Sequence, residues 1–367
     1  MARADRPECG SVRVENAEVE LSQTASPPKR IMSGMRPTGR LHLGHYFGAL
    51  SNWLEFQDKY ESYFSIVDWH ALTTKYNNVS EIKANVNEIA LDWLSVGINP
   101  EQSTIYVQSA IPEIAELHLL LSMVTPQNWV EREPTLKDMV KMLAANEDEA
   151  KDKVTYGLLG YPVLMTADIL SFKAEVVPVG KDQESHLEFA RDVVRRFNHL
   201  YGVEYFKEPK PVFTQTPLIK GIDGQKMGKS YGNDIKLADT DADTLKKVKQ
   251  MITDRTRIAR TDPGHVDLCE VPWPMYQIFG KDILPLVQQE CESGQIGCVD
   301  CKKRLGERIN DFLAPIREKR EQLARDPERV RQIIEYGNNK ARKVAIETLN
   351  GVRDLMGLTR WDQPVCR

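Results

Sequence analysis

Long apolar runs are missing from this 367-residue sequence, and nothing in it approaches the length of a membrane-spanning helix, which excludes a helical membrane protein. Cysteine is scarce, six in all, so the chain is no disulfide scaffold; in a reducing cytosol such thiols bind metal or stay free. No strong excess of one charge exists either, since 49 Lys and Arg against 53 Asp and Glu leave a net charge of −4. A site for a polyanion therefore has to be a local patch. Met1–Lys29 lacks the apolar core of a secretory signal and is not acid-poor like a transit peptide, so it reads as a solvated, disordered extension of a cytoplasmic protein. Internal repeats and low-complexity tracts are absent as well.

What is present is a globular composition, 41% hydrophobic and 28% charged, in a chain long enough for two cores. From Arg30 an apolar stretch passes through a Gly/Pro-rich turn into a helical pattern over residues 46–60. Residues 63–68 (YFSIVD) and 103–108 (STIYVQ) read as buried strands around a helix at 82–96. That β-α-β-α-β order implies a parallel sheet with right-handed crossovers. Residues 113–157 read as a helical insertion whose charged stretch from Asn146 (NEDEAKDK) forms a loop or tip. The core resumes with a helix at 161–172, a strand at 174–179 and an amphipathic helix at 183–197. The α/β domain is thus expected over 30–234 and an all-helical domain over 235–343. A C-terminal helix from Lys340 to Met356, with its tail to 367, is expected to return to the first domain.

Two motifs suit phosphate chemistry. The first turn carries Arg36, Pro37 and Thr38, then His42-Leu-Gly44-His45 at a helix start. Gly44 would let a phosphate approach the backbone, where free N–H groups and the positive dipole end are presented. His42 and His45, three apart, can donate hydrogen bonds to charge developing on that phosphate, each worth about 3–4 kcal/mol in a transition state. Taken alone so short a motif is weak. Far downstream lies GIDGQKMGKS, residues 221–230, a glycine-punctuated loop whose Lys226 and Lys229 suit a leaving pyrophosphate.

The pair resembles the HIGH and KMSKS elements of class I aminoacyl-tRNA synthetases. The stretches YPVLMTADIL from Tyr161 and VPVGKDQ from Val177, followed by His186, resemble the amino-acid pocket of the bacterial-type tryptophanyl members. The similarity runs over nearly all of residues 30–360. His45 stands where many relatives carry Asn, Arg36 where Gln is common, and Gly228 where Ser is usual, so the loop gains flexibility but no functional group is lost. The resemblance implies that Asp168 accepts the indole N–H, with Met32, Tyr161, Met165, Ile169, Val177 and Val179 as walls. A fixed acceptor in an apolar pocket rejects Phe, which lacks the donor. It also implies that Gln183 binds the substrate's ammonium or carboxylate. Gly180, Lys181, Asp182, Leu218, Met227, Gly228 and Ser230 join the two motifs around ATP. Asp68 and His70, at the end of the second strand, lie where ligands bind in such sheets; for His70 a core role competes.

Cys269, Cys291, Cys298 and Cys301 follow C-x21-C-x6-C-x2-C. Zinc sites show two tight pairs and here only one is tight, so the spacing fits a cuboidal [4Fe–4S] cluster better than Zn2+ or free thiols. The resemblance agrees, because a subset of these synthetases carries such a cluster in the anticodon-binding domain. Cys9 and Cys366 lie in the tails. Residues 246–260 hold six cations and one acid, a basic stripe suited to tRNA backbone contact. The expected protein has a Rossmann-type α/β catalytic domain and an all-helical anticodon-binding domain. It is a homodimer that adenylates L-tryptophan with Mg2+ and ATP and passes it to tRNA(Trp). A tyrosyl-tRNA synthetase, a small-metabolite adenylyltransferase and a non-catalytic iron–sulfur RNA-binding descendant are the rival readings.

Overall fold

Strand β1, Arg30–Met35, lies at the centre of a parallel sheet in the computed structural model, which describes residues 28–134, 154–180, 184–213 and 219–358. With β2 (Glu61–Ile66), β3 (Ser103–Val107), β4 (Val176–Val179) and β5 (Lys210–Phe213) it forms a five-stranded sheet in the order β3-β2-β1-β4-β5. All four pairings are parallel. The order reverses between β1 and β4, and the crevice beyond their carboxyl ends is where such a sheet receives ligands. This is the Rossmann-like architecture expected, with a helical C-terminal region.

Strand β2 shows why the sheet buries both faces. Neighbours Tyr63 and Phe64 point to opposite sides. Tyr63 stacks on Phe172 at 4.6 Å in one core, and Phe64 stacks on Trp53 at 4.4 Å in the other. Tyr63's core is closed by the helices Pro112–Val124, Tyr161–Ser171 and Glu184–Tyr201. Phe64's core runs on without a break through Ser80–Val96 into Leu305, Ile309, Leu313 and Val330 of the two long C-terminal helices, Cys298–Arg325 and Pro327–Leu355.

Several boundaries differ from expectation for local reasons. β2 starts two residues early because Arg30 pairs with Glu61 across the ladder at 2.9 Å, and it ends at Ile66, so Asp68 opens the helix Asp68–Lys75. β4 starts at Val176, after the preceding helix is closed by the Ala174 N–H bond to Ile169 O. β5 was not anticipated: four residues with a proline, on an edge where proline is tolerated, give no periodicity. Helical structure after β1 begins at Leu43, and Tyr46–Leu50 forms a π-helical turn. The last helix begins not at Lys340 but at Pro327, behind Asp326, whose side chain accepts the Arg329 N–H. The boundary drawn after residue 343 therefore falls inside one helix.

That helix does return to the sheet, where it covers the open edge of β3. Asn338 Oδ1 accepts the Val107 N–H at 2.9 Å. Gly337 rides so close to the strand that a Cβ would lie 1.8 Å from Ile105 O. The remaining polar edge of β3 is thereby kept from pairing with another chain. Within 113–157, described helices are Pro112–Val124, Gln127–Arg132 and Tyr156–Leu159; the charged tip at 146–153 and the extension before residue 28 lie outside the described residues.

Candidate active site

The turn after β1 places its groups by backbone necessity. Gly39 adopts φ +113°, a left-handed conformation costly for other residues. His42 is extended (φ −127°, ψ 171°) and buried, and its N–H donates to His45 Nδ1 at 3.3 Å, setting the rings 3.8 Å apart. Burial pushes the His42 imidazole down to about 4, with Lys229, Lys236 and Lys247 adding and Asp234 opposing. His45 is driven lower still by burial, His42 and Lys229. At neutral pH both rings are uncharged and each offers one N–H. Buried His42 Nδ1 has no partner among the described residues. A Cβ at Gly44 would sit 2.9 Å from the His42 ring and 3.5 Å from Met227 Cβ, so the glycine makes room for the ring.

The lysine loop reaches this turn through a short backbone splice. Leu43 N–H donates to Ile235 O and Leu237 N–H to Leu41 O, both at 2.9 Å, so the segment after the loop runs antiparallel to the helix start. Lys229 Nζ then donates to Gly39 O at 2.6 Å and lies 3.4 Å from Thr38 Oγ1. Burial lowers its pKa to about 8, against Asp92 and Asp234. Lys226 and Ser230 are exposed, and Met227 is buried as the loop's anchor in the hydrophobic core. Buried Asn233 holds the loop's shape, accepting the Gly228 N–H at 2.8 Å and donating to Asp223 Oδ1 at 2.7 Å and Lys226 O at 3.2 Å.

Beside the turn, at the β1/β4 reversal, lies a cavity of about 550 Å³. Met32, His70, Tyr161, Met165, Asp168, Ile169, Val177 and Val179, expected around tryptophan, line it together with Arg36 and Gly180, expected around ATP. Asp168, 2% exposed, is the acid in this apolar wall. Its carboxylate accepts Gln108 Nε2 at 2.8 and 2.9 Å and meets His70 Nε2 at 2.9 Å. Two oxygens provide about four lone-pair sites, which leaves capacity for a further donor from the cavity. Tyr161 Oη lies 3.2 Å from His186 Nε2, and His186 is a further wall. Asp68 is not in the cavity: it accepts the Ser109 N–H at 3.0 Å and its hydroxyl at 2.5 Å, tying off the end of β3. Pro37 is buried in the turn; Lys181, Asp182, Gln183 and Leu218 lie outside the described residues.

The turn after β1 thus holds the lysine loop on its Gly39 carbonyl and borders the cavity through Arg36. Residues 24–314 match the family model for class I tRNA synthetases (W and Y). The tryptophan–tRNA ligase of Thermotoga maritima is 44% identical over 332 residues, 90% of this chain and 99% of that one. The Borreliella burgdorferi ligase is 45% identical, over 90% of this chain and 94% of that one. The chain belongs to the tryptophanyl-tRNA synthetases of class I. The Campylobacter jejuni synthetase, solved with ADP and tryptophan, covers 90% of this synthetase and 100% of its own chain at TM-score 0.81 and 34% identity.

In the helical region of the synthetase the four cysteines are neighbours. Cys269 follows the turn Val266–Leu268, Cys291 lies in the helix Leu284–Glu292, and Cys298 and Cys301 open Cys298–Arg325. Burial and the neighbouring thiols push Cys269 up to about 11 and Cys301 up to about 12. Arg257 Nη1 lies 4.0 Å from Cys291 Sγ and 3.9 Å from Cys298 Sγ. Yet among the described residues no three His, Cys, Asp or Glu side chains close together as ligands of a metal ion do. The basic stripe is not one helix face: the helix ends at Lys249, Lys247 pairs with Asp239 at 2.6 Å, and Arg255 and Arg260 pair with Glu270 and Asp300. Among the described residues no helix is long and apolar enough to cross a membrane.

Gln108 and Asn233 escaped the sequence reading. Nothing local marked either, since the burial of Gln108 and the loop bonds of Asn233 arise only in the folded chain.

Proposed function

We propose that this chain is a tryptophan–tRNA ligase. It joins L-tryptophan to AMP at the expense of ATP, releasing diphosphate, and transfers the aminoacyl group to tRNA(Trp). The observation that carries the reading is the meeting of the two motifs, Lys229 on the Gly39 carbonyl and Ile235 on Leu43, beside the cavity holding Asp168. A tryptophan carboxylate oxygen attacks the α-phosphorus and the bond to diphosphate breaks. His42 and His45 donate to the phosphate oxygens, while Lys229 and Lys226 neutralise the leaving diphosphate with its Mg2+. A terminal ribose hydroxyl of the tRNA then attacks the carbonyl and AMP leaves. The enzyme needs no nucleophile of its own, so positioning and charge placement carry the catalysis.

Asp168 selects tryptophan over phenylalanine by taking the indole N–H, with Met165, Ile169, Val177 and Val179 around the ring. Arg36, Thr38 and Gly180 line the ATP side. Exchange of labelled diphosphate into ATP tests the reading: tryptophan should drive it, while exchange driven by tyrosine, or no exchange, would reject it.

The cysteines are read as ligands of a [4Fe–4S] cluster. Supporting this, the thiols are near enough to raise one another's pKa, and the Arg257 guanidinium reaches Cys291 and Cys298, where it would offset thiolate charge. Such a cluster would tie the start of Cys298–Arg325 to the neighbouring helix and take no part in the transfer. Anaerobically purified protein should contain iron and sulfide and absorb in the visible; stoichiometric zinc without colour would replace this reading. Homodimerisation and a cytoplasmic location extend the resemblance to the bacterial-type enzymes, and sedimentation tests the first.

A further inference from the structure

We propose that Arg320 is a positioning residue for the catalytic turn, acting from the helical region through Asp92 and Glu88 on the residues directly ahead of His42. The inference rests on the ligase reading.

Arg320 lies near the end of Cys298–Arg325 with its side chain 12% exposed. Its Nε donates to Asp92 Oδ1 at 2.7 Å and its Nη2 to Glu88 Oε2 at 2.5 Å, both carboxylates lying one turn apart on Ser80–Val96. Each carboxylate then holds one residue of the turn. Asp92 Oδ2 accepts the Leu41 N–H at 2.8 Å, and Glu88 Oε2 accepts Arg40 Nε at 2.6 Å. One rigid guanidinium fork therefore sets the orientation of both supports of residues 40 and 41. Leu41 O in turn receives Leu237 N–H at 2.9 Å, so the same residue registers the strand that follows the lysine loop.

Asp92 is 0% exposed, and a side chain there needs a strong reason to be ionic. A buried ion pair contributes little stability beyond what apolar packing would give. Geometry is what this pair supplies, because one carboxylate oxygen faces the helical region and the other the main chain beside His42. The helix carrying Arg320 starts at Cys298 and has Pro315 within it, so one element reaches from the cysteines to the supports of the turn.

The test compares R320M, R320K and R320M/D92N with the unaltered protein, by tryptophan-dependent diphosphate exchange and by melting temperature. R320M should lower kcat between about ten- and a hundredfold, as misplacement of a catalytic group does. KM for tryptophan should stay unchanged, since among the described residues no cavity wall comes from Ser80–Val96 or Cys298–Arg325. R320K, which restores one charged donor, should recover part of kcat. R320M/D92N removes the unpaired carboxylate and should recover the melting temperature while staying slow, and it decides the matter if R320M does not fold. Recovery of kcat together with stability, a normal kcat in folded R320M, or a loss confined to tryptophan KM would each overturn the proposal. Absence of exchange in the unaltered protein would instead reject the ligase reading.

Discussion

Lys229 offers the sharpest perturbation, because the loop that should bind an anion holds its ammonium in a half-buried position. Burial lowers its pKa from 10.5 to about 8, although Asp92 and Asp234 pull the other way. Unfolded, the group titrates near 10.5. Between about 8 and 10.5 the unfolded chain binds the extra proton, so this group's contribution to stability becomes more favourable as pH rises. At neutral pH the charge costs the free protein about 3 kcal/mol at most, which solvent screening reduces to about 1–2 kcal/mol. Two results follow. For diphosphate exchange at saturating tryptophan, kcat/KM for ATP should fall above about pH 8 as the ammonium deprotonates. Lys229→Arg should be slower but keep a flat profile to pH 9, which separates Lys229 from other groups titrating there. Lys229→Met should slow exchange strongly yet raise the melting temperature at pH 7 by about 1–3 °C. A flat profile in the unaltered protein, or a less stable Lys229→Met, would refute the reasoning.

His45→Ala should slow exchange by about 100- to 1,000-fold, the cost of one transition-state donor, with little change in melting temperature; a large loss of stability would make the ring structural. Asp168→Ala leaves Gln108 and His70 facing no acceptor, which should cost about 1–3 kcal/mol in urea unfolding. The same variant should narrow the preference for tryptophan over phenylalanine in exchange, and an unchanged ratio would remove Asp168 from recognition. Gly337→Ala puts a methyl against the Ile105 carbonyl and should destabilise the chain by about 1–3 kcal/mol or more, read as a lower unfolding midpoint.

Those sites differ in how far the sequence announced them. His42, His45, Lys226 and Lys229 were readable because imidazoles and lysines among glycines have few structural uses in so short a span. The apolar wall residues needed the family resemblance to be told from core, and Asp168 stood out only as an acid in an apolar helix. Asp68 was misplaced because the strand was extended two residues too far; with β2 ending at Ile66, the carboxylate faces Ser109 instead of the cavity. The His42 ring that Gly44 accommodates is visible only in three dimensions. Gln108, Asn233, Asp92 and Arg320 were not legible, since their meaning lies in the partner: Arg320 and Asp92 are 228 residues apart. The short edge strand β5 carries too few residues for a period, and the start of Pro327–Leu355 is signalled by one Asp-Pro pair within a uniformly polar stretch.

If the imidazole pair and the lysine loop act on one triphosphate, their contributions to activation have to depend on each other. A double-mutant cycle of His45→Ala and Lys229→Ala, read as kcat/KM for ATP in tryptophan-dependent exchange, measures that dependence directly. The account predicts that the combined loss falls short of the product of the single losses by about tenfold or more, a coupling of about 1.4 kcal/mol. Losses that simply multiply would contradict it.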